Sequence, residues 1–459
     1  MEQKNTLLKS KVRSKITFSA SPLGFLLAAC GGGGGSESSS NDNSTTITIP
    51  TSTNTSGHFG SDPKDLSAFA ANSTNNFSGE YSTPEQLSSP ALDQTFSESY
   101  LSGWKENTSL VDLSGMNEID GLLYAHFSDP NKTEFWKVQG PANYISFSFF
   151  DTSSLLLDED AYTGNDFVEA VYYNDFYEIT QQQKEDIRLA LNEIEKIVNV
   201  KFVEVTEQNN QVGTIRFGIT QSDLDGAAAW GQVLGDYWSI MGDIWMDNNF
   251  FKADIGAGSW KYHAVLHEIG HAMGLAHPHE EGLGLGAEVL SSELDYTNYT
   301  QMSYEDPSWA YFGSGSSRYF TISESLMVYD IQALQHMYGA NDNYNAGNTK
   351  YEFDPAKPTS LTIWDAGGED LLDFSNFNYR CDINLNDGAY STIRYAGWNP
   401  YDNFGIAFNT FIENVSGSQA NDTIIGNELD NEISGNNGND ILYGGGGDDI
   451  FNFASGTRG

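Results

Sequence analysis

His267-Glu-Ile-Gly-His271-Ala-Met-Gly274-Leu-Ala-His277-Pro278 is the most informative stretch of the 459-residue chain. Residues four apart on a helix share a face, so His267 and His271 can present both imidazoles to a single ion. Glu268 stands one residue on, beside such an ion but off the ligand face, which suits a base that handles the metal's water. Gly274 tolerates the left-handed conformation of a helix C-cap, so the chain can turn back and deliver His277 as a third ligand. Three imidazoles leave one position open for water, the arrangement of a catalytic zinc rather than a structural one. HExxH alone recurs by accident. With Gly274 and His277 at these spacings, the chance expectation at this composition is on the order of one in 10⁵. Three satisfied histidines on a core helix is the bland alternative, and it carries little weight against that figure.

Working outward, Asn143 to Phe150 alternates like a strand. Thr180 with Gln183 three residues on is a capping-box pattern, and Ile187, Leu191, Ile194 and Val198 share one face of the helix it opens. Lys201 to Val205, Thr214 to Thr220 and Asp243 to Met246 read as further strands. Helices are expected from about Trp260 to Met273 and from about Ser323 to Tyr338, ahead of Gly339. Regular structure is expected to begin near Glu118. After residue 340, Gly, Asn and Asp dominate and no helical period survives, which marks a domain boundary.

The acidic balance is large: 63 Asp and Glu against 22 Lys and Arg, a formal charge of -41. Such a chain is a poor partner for nucleic acid or an anionic membrane surface. Aromatics at 13% exclude wholesale disorder. The C-terminal sequence explains part of the charge. From Gly417 a nine-residue period runs through Gly426, Gly435 and Gly444, with Asp422, Asp430, Asp440 and Asp449 in successive copies. The last two copies fit G-G-x-G-x-D-x-U-x well and the first two loosely. Apolar residues recur nine apart at Ile424, Ile433, Leu442 and Phe451, which a flexible linker would not maintain. Tight glycine turns with Asp side chains make calcium sites, and Gly435, Asn437, Gly444 and Gly446 are candidates to contribute with those acids.

The zinc motif resembles the metzincin signature, and Tyr299-Thr-Gln-Met302-Ser303-Tyr304 resembles the methionine turn that follows it. Pro278 after the third histidine and the Met302-Ser303-Tyr304 triplet are similar to the serralysin subfamily. So are Gly242-Asp-Ile-Trp245 and Gln335-His-Met-Tyr338-Gly-Ala-Asn341, and the likeness spans roughly residues 117 to 452. The resemblance implies an α+β metzincin catalytic domain followed by an all-β parallel β-roll of RTX type. It implies one catalytic Zn2+ on His267, His271 and His277, with Tyr304 as a further ligand that can swing to stabilise the transition state. It also implies Glu268 as the base, Met302 as an apolar floor, and substrate pairing along an edge strand at Ala228-Ala229-Trp230. Several structural Ca2+ ions are implied as well. Thr362-Ile-Trp-Asp365-Ala-Gly367-Gly-Glu-Asp370 matches one family segment, pointing to Asp365, Gly367 and Asp370, and Ile412-Glu413-Asn414 matches another. Asn345, Gly347 and Asn348 occupy a loop where the family usually has Arg and Asp, so a weaker calcium site is expected there. His263, His279 and His336 are expected to be surface histidines, not ligands.

At the N-terminus Lys4, Lys9, Lys11, Arg13 and Lys15 precede a short apolar stretch from Leu23 to Ala29. Leu27-Ala28-Ala29-Cys30 resembles a bacterial lipoprotein processing box, and two readings stand: an acylated Cys30 that anchors the protein at the cell surface, or an inert leader. With only Cys30 and Cys381, no disulfide framework is expected. Family members usually run past the repeats into a C-terminal secretion signal, whereas only Phe453 to Gly459 follow here. Either the sequence is truncated or the leader has taken over that route. The expected organisation is a leader over 1–30, a tether and prosegment over 31–116, a zinc peptidase domain over 117–340 and a calcium-binding roll over 341–459. The function expected is a secreted, monomeric zinc endopeptidase. A calcium-dependent surface or matrix-binding protein with a vestigial protease domain is the rival, and the retained Glu268 and Tyr304 count against it.

Overall fold

The computed structural model describes residues 108–453, apart from 127, 139–142, 152–175, 208–211, 221–227, 232, 235–240, 253–254, 256–258, 281–286 and 315–316. The leader, Cys30 and most of the expected tether lie outside the described residues. Structure begins earlier than Glu118. A strand β1 (Thr108–Asp112) lies antiparallel on β2 (Lys132–Trp136), with the short helix α1 (Asn117–Asp120) between them. Leu110 and Met116 are exposed there, so the segment lacks a clean apolar period.

The N-terminal half of the described structure is a twisted sheet with long helices. Its strands are β3 (Tyr144–Phe149), β4 (Phe176–Tyr177), β5 (Lys201–Glu204), β6 (Ile215–Thr220), β7 (Ala229–Gly231) and β8 (Asp243–Asp247). The order is β5-β3-β6-β8-β7, with β4 pairing β6. β5, β3, β6 and β8 are parallel, and β7 is an antiparallel edge strand on β8. Both faces of β6 and β8 are buried, and the charge this encloses is paired: Arg216 Nε donates to Glu207 Oε1 at 2.8 Å.

Helix α2 (Gln181–Ile197) starts at Thr180, whose backbone N–H donates to Gln183 Oε1 at 2.9 Å while its hydroxyl accepts from the Gln183 N–H, completing the capping box. Its apolar face, Ile187, Leu191 and Ile194, is fully covered. Helix α3 (Trp260–Ala272) carries the zinc motif. Ser259 caps it by accepting from the Tyr262 N–H at 3.1 Å, and every residue from Tyr262 onward is buried. A helix covered on all sides has little freedom to shift, which suits a scaffold for ligands.

Helix α4 (Val328–Tyr338) starts five residues later than its sequence suggests. Ser323 to Met327 is used otherwise: the Glu324 N–H donates to Ser360 O at 2.9 Å, and Ser325 Oγ accepts from the Thr362 N–H at 2.9 Å. Tertiary bonds to the C-terminal half therefore outbid the helical ones.

The C-terminal half is built of three- and four-residue strands that alternate between two sheets. Asn414–Ser416, Glu432–Ser434 and Ile450–Asn452 stack parallel in one, while Thr423–Ile425 and Ile441–Tyr443 stack parallel in the other. One turn of this roll is thus 18 residues, or two nonapeptides. Ile424 and Ile433 are fully buried between the sheets, whereas Phe451 is 37% exposed, with no later strand beside it among the described residues. The two halves share their cores. Trp364 and Ala407 pack into the core of the N-terminal half, and Trp309 and Ala310 into that of the roll. Among the described residues, no helix is long and apolar enough to cross a membrane.

Candidate metal centre

The α3 frame sets His267 and His271 one turn apart, and both are buried. Gly274 adopts a φ of +103°, which L side chains rarely take, and the chain doubles back to bring His277 over the same face. The three Nε2 atoms converge: His277 Nε2 is 3.2 Å from His267 Nε2 and 2.8 Å from His271 Nε2. A tetrahedral zinc with Zn–N bonds of about 2.0–2.1 Å needs ligand atoms roughly 3.3–3.4 Å apart, so the set is close to that geometry. The other ring nitrogens are engaged elsewhere. His267 Nδ1 donates to Gln301 O and His271 Nδ1 to Leu275 O, each at 2.8 Å. His277 Nδ1 faces the Glu280 carboxylate at 3.3 Å. This fixes the tautomers so that each Nε2 lone pair points at the common centre. Burial lowers His267 to about 4, and burial followed by neighbouring imidazoles lowers His271 and His277, so all three are neutral and ready to ligate. The donor set fits a zinc ion.

The groups around the centre follow the same logic. The Tyr304 hydroxyl lies 2.7 Å from His277 Nε2, at the mouth of the cluster. Met302 is fully buried, and a Cβ built on Gly270 would meet its sulfur at 2.7 Å, so Met302 packs beneath the helix between the two ligands. Glu268 is buried and faces β7, where Gly231 presses on it. A Cβ at Gly231 would lie 2.8 Å from the Glu268 backbone oxygen and 2.9 Å from its Oε2. Gly231→Ala is therefore expected to push the edge strand away from Glu268 and lower kcat/KM on the order of tenfold, with zinc content unchanged. Wild-type turnover by the alanine variant would show that the contact is immaterial.

Three expectations of surface histidines meet different outcomes. His336 is half-buried, with Nε2 2.8 Å from Asp112 O. His263 is buried, because α3 is covered on every side. His279 is half-buried with its ring 4.7 Å from that of Tyr304 and its Nδ1 3.6 Å from Asp295, so it belongs to the site's wall. Sequence reasoning missed Glu280, Gly231 and the Gln301 carbonyl. Glu280, three residues past His277, left a signal in its spacing; a backbone carbonyl leaves none.

In the roll, Asp365, Gly367, Asp370, Glu413 and the loop of Asn345, Gly347 and Asn348 are brought together. Asp365 accepts from the Gly367 N–H at 2.8 Å, Glu413 accepts from the Asp370 N–H at 2.8 Å, and Asn348 accepts from the Glu369 N–H at 3.1 Å. Asn345 donates to the Tyr351 hydroxyl at 2.9 Å, and that hydroxyl donates in turn to Asp365 Oδ2 at 2.5 Å. Asp370 Oδ2 is buried without a hydrogen-bond partner, an orphan that a cation would satisfy. Burial, reinforced by Asp365 and Glu413, holds the Asp370 carboxyl up at about 7. Further along, the acids stack 18 residues apart in two columns, one per sheet: Asp440 accepts from the Asp422 N–H at 2.9 Å in one, and Asp449 accepts from the Asn431 N–H at 3.0 Å in the other. Each acid lies against the first glycine of its own repeat, with Cβ positions at Gly417 and Gly435 only 2.7 and 2.5 Å from the carboxylates of Asp422 and Asp440. In the second repeat Asn431, not Asp430, takes the acid's place. Asp430 is exposed and accepts from the Asp448 N–H at 2.7 Å. Asn437 is also exposed and donates to Gln419 Oε1 at 2.5 Å. Gly444 contacts Asp449, and the Gly446 N–H donates to Asn427 O at 2.8 Å.

Comparison with known proteins agrees with this division. The family model described as Matrixin, of peptidase M10, matches residues 170–287, and that described as Peptidase M10 serralysin C terminal matches residues 329–458. The metallopeptidase AprA of Pseudomonas marginalis is 34% identical over 271 residues, 55% of each chain. Serralysin C of Dickeya chrysanthemi is 33% identical over 271 residues, 54% of each, and the serralysin of Proteus mirabilis is 30% identical over 283 residues, 54% of this chain and 55% of its own. The chain spans about half the length of these relatives. With a matrixin-type region around three converging imidazoles and a serralysin C-terminal region folded as a parallel roll, the chain carries two peptidase M10 regions and is similar to the serralysins over both.

Proposed function

We propose that the protein is a secreted zinc endopeptidase that cleaves extended polypeptides, with a C-terminal roll held by several calcium ions. The observation that carries this reading is the convergence of three neutral Nε2 atoms beside Glu268 and an edge strand. His267, His271 and His277 would hold the zinc, with Tyr304 as a further ligand beside the open position. Zinc bound there supplies an acidified water and a Lewis acid for the scissile carbonyl. Glu268 takes the proton of the attacking water and hands it to the leaving amine. The Tyr304 hydroxyl would donate a hydrogen bond to the oxyanion. Ala228 to Gly231 along the edge of the sheet pairs with substrate backbone, which gives broad sequence tolerance because side chains are read only weakly.

Calcium would be held by Asp365, Gly367, Asp370 and Glu413 with the 345–348 loop, and by Asp422 and Asp440 in one column and Asp449 in the other, with the glycines of their repeats. Clustered carboxylates of this kind suit the calcium levels found outside cells, in keeping with secretion. The acidic surface suits a monomer with no affinity for nucleic acid.

The test is hydrolysis of casein by the full chain in calcium, before and after a zinc-selective chelator and again after zinc is restored. Activity that is lost and regained supports the reading. Absence of hydrolysis by zinc-loaded protein would sink it in favour of a calcium-dependent binding protein.

A further inference from the structure

His267 is oriented by a backbone carbonyl, and the same peptide unit leads away from the metal centre to a buried acid. Its Nδ1–H donates to Gln301 O at 2.8 Å. The N–H at the other end of that peptide, on Met302, donates to Thr300 Oγ1 at 3.0 Å. The Thr300 hydroxyl donates in turn to Asp330 Oδ1 at 2.6 Å. Asp330, in the first turn of α4, has no exposed surface. Its Oδ2 accepts from the Gln301 N–H at 2.7 Å and the Met327 N–H at 2.8 Å. Every bond along this path runs in one direction, from imidazole to carboxylate, so each polarises the next.

We propose that Asp330 is a positioning residue of the metal centre: through Thr300 and the 301–302 peptide it fixes the ring of His267 and raises its basicity toward the ion. A carboxylate bonded directly to a ligating histidine does this in many zinc sites. Here one peptide and one hydroxyl stand between the two. The arrangement also explains why a carboxylate is buried where α4 begins. Met327 alone would need one acceptor, whereas Asp330 serves three donors, two of them in the segment that carries the methionine turn.

The proposal rests on the zinc reading of the three histidines, and one titration separates the two. Full-length protein in calcium is titrated with zinc against a competing chromophoric chelator, for wild type and for Asp330→Ala, Asp330→Asn and Thr300→Val. Wild type should bind about one zinc tightly. Asp330→Ala is expected to bind 10- to 100-fold more weakly. Thr300→Val, nearly isosteric, interrupts the path while leaving both backbone bonds to Asp330, and is expected to weaken binding several-fold. Asp330→Asn keeps the acceptor for those backbone bonds but removes the charge, and should fall between the other two. At saturating zinc, kcat should drop with KM unchanged. If Asp330→Ala does not fold, the other two variants decide. Folded Thr300→Val and Asp330→Asn proteins with wild-type zinc affinity, whatever their melting temperatures, would reduce Asp330 to a structural acid and overturn the proposal. Failure of wild type to bind zinc would instead remove the zinc reading itself.

Discussion

Replacing Glu268 with glutamine should cost on the order of 10³-fold or more in kcat/KM and leave zinc stoichiometry unchanged. Glutamine preserves the shape that Gly231 packs against, with a Cβ position 2.9 Å from Oε2, so the edge strand need not move. What it removes is the ability to take a proton from water and return it to the leaving amine, a contribution of about 10²–10⁴ in general acid–base catalysis. Because the ligand nitrogens belong to His267, His271 and His277, the metal should stay. Steady-state cleavage of a quenched fluorescent peptide, with zinc measured on the same sample, reads both quantities. A glutamine variant within tenfold of wild type would remove Glu268 from the mechanism. Loss of zinc would make it a structural support of the ligands.

The second large effect concerns calcium. In excess chelator the roll is expected to lose its sheet content and, with it, the packing of Trp364 and Ala407 in the catalytic core. The electrostatics give the loss a pH signature. Burial and the nearby Asp365 and Glu413 raise the folded Asp370 to about 7, whereas an unfolded Asp titrates near about 4. Between those values the folded state holds the extra proton, so without metal its stability falls as pH rises from about 4 through about 7. Calcium favours the ionised carboxylate and should cancel or reverse that slope. Melting curves by circular dichroism at several pH values, with calcium and with chelator, test this. Identical sheet content and melting in both conditions would contradict it.

The convergence of His267, His271 and His277 was readable because it is written in side chains at helical spacing. His267 and His271 lie one turn apart on a straight helix, and Gly274 marks its end. The roll was readable because its period fixes which residue faces inward, and Ile424 and Ile433 do so. The same period also corrects the phase of the acids: a strict step of nine from Asp422 to Asp440 lands on Asn431, one residue past Asp430, and Asn431 stacks on Asp449, whose carboxylate accepts its N–H at 3.0 Å. Backbone partners, by contrast, were invisible. The carbonyls of Gln301 and Leu275 that orient two ligands are common to every residue type. The late start of α4 was hidden because the competing bonds come from Ser360 and Thr362, more than thirty positions away in sequence. The burial of His263 depends on how many elements surround α3, which a helical period does not report.

The central claim is that His267, His271 and His277 hold one zinc with a position left open for catalysis. X-ray absorption at the zinc edge of the purified full chain tests it most directly. The account predicts about one zinc per chain, three imidazole nitrogens at about 2.0–2.1 Å and oxygen completing the shell, with the nitrogen count falling in His277→Ala. A protein that retains no zinc, or a shell unchanged by removing His277, would contradict it.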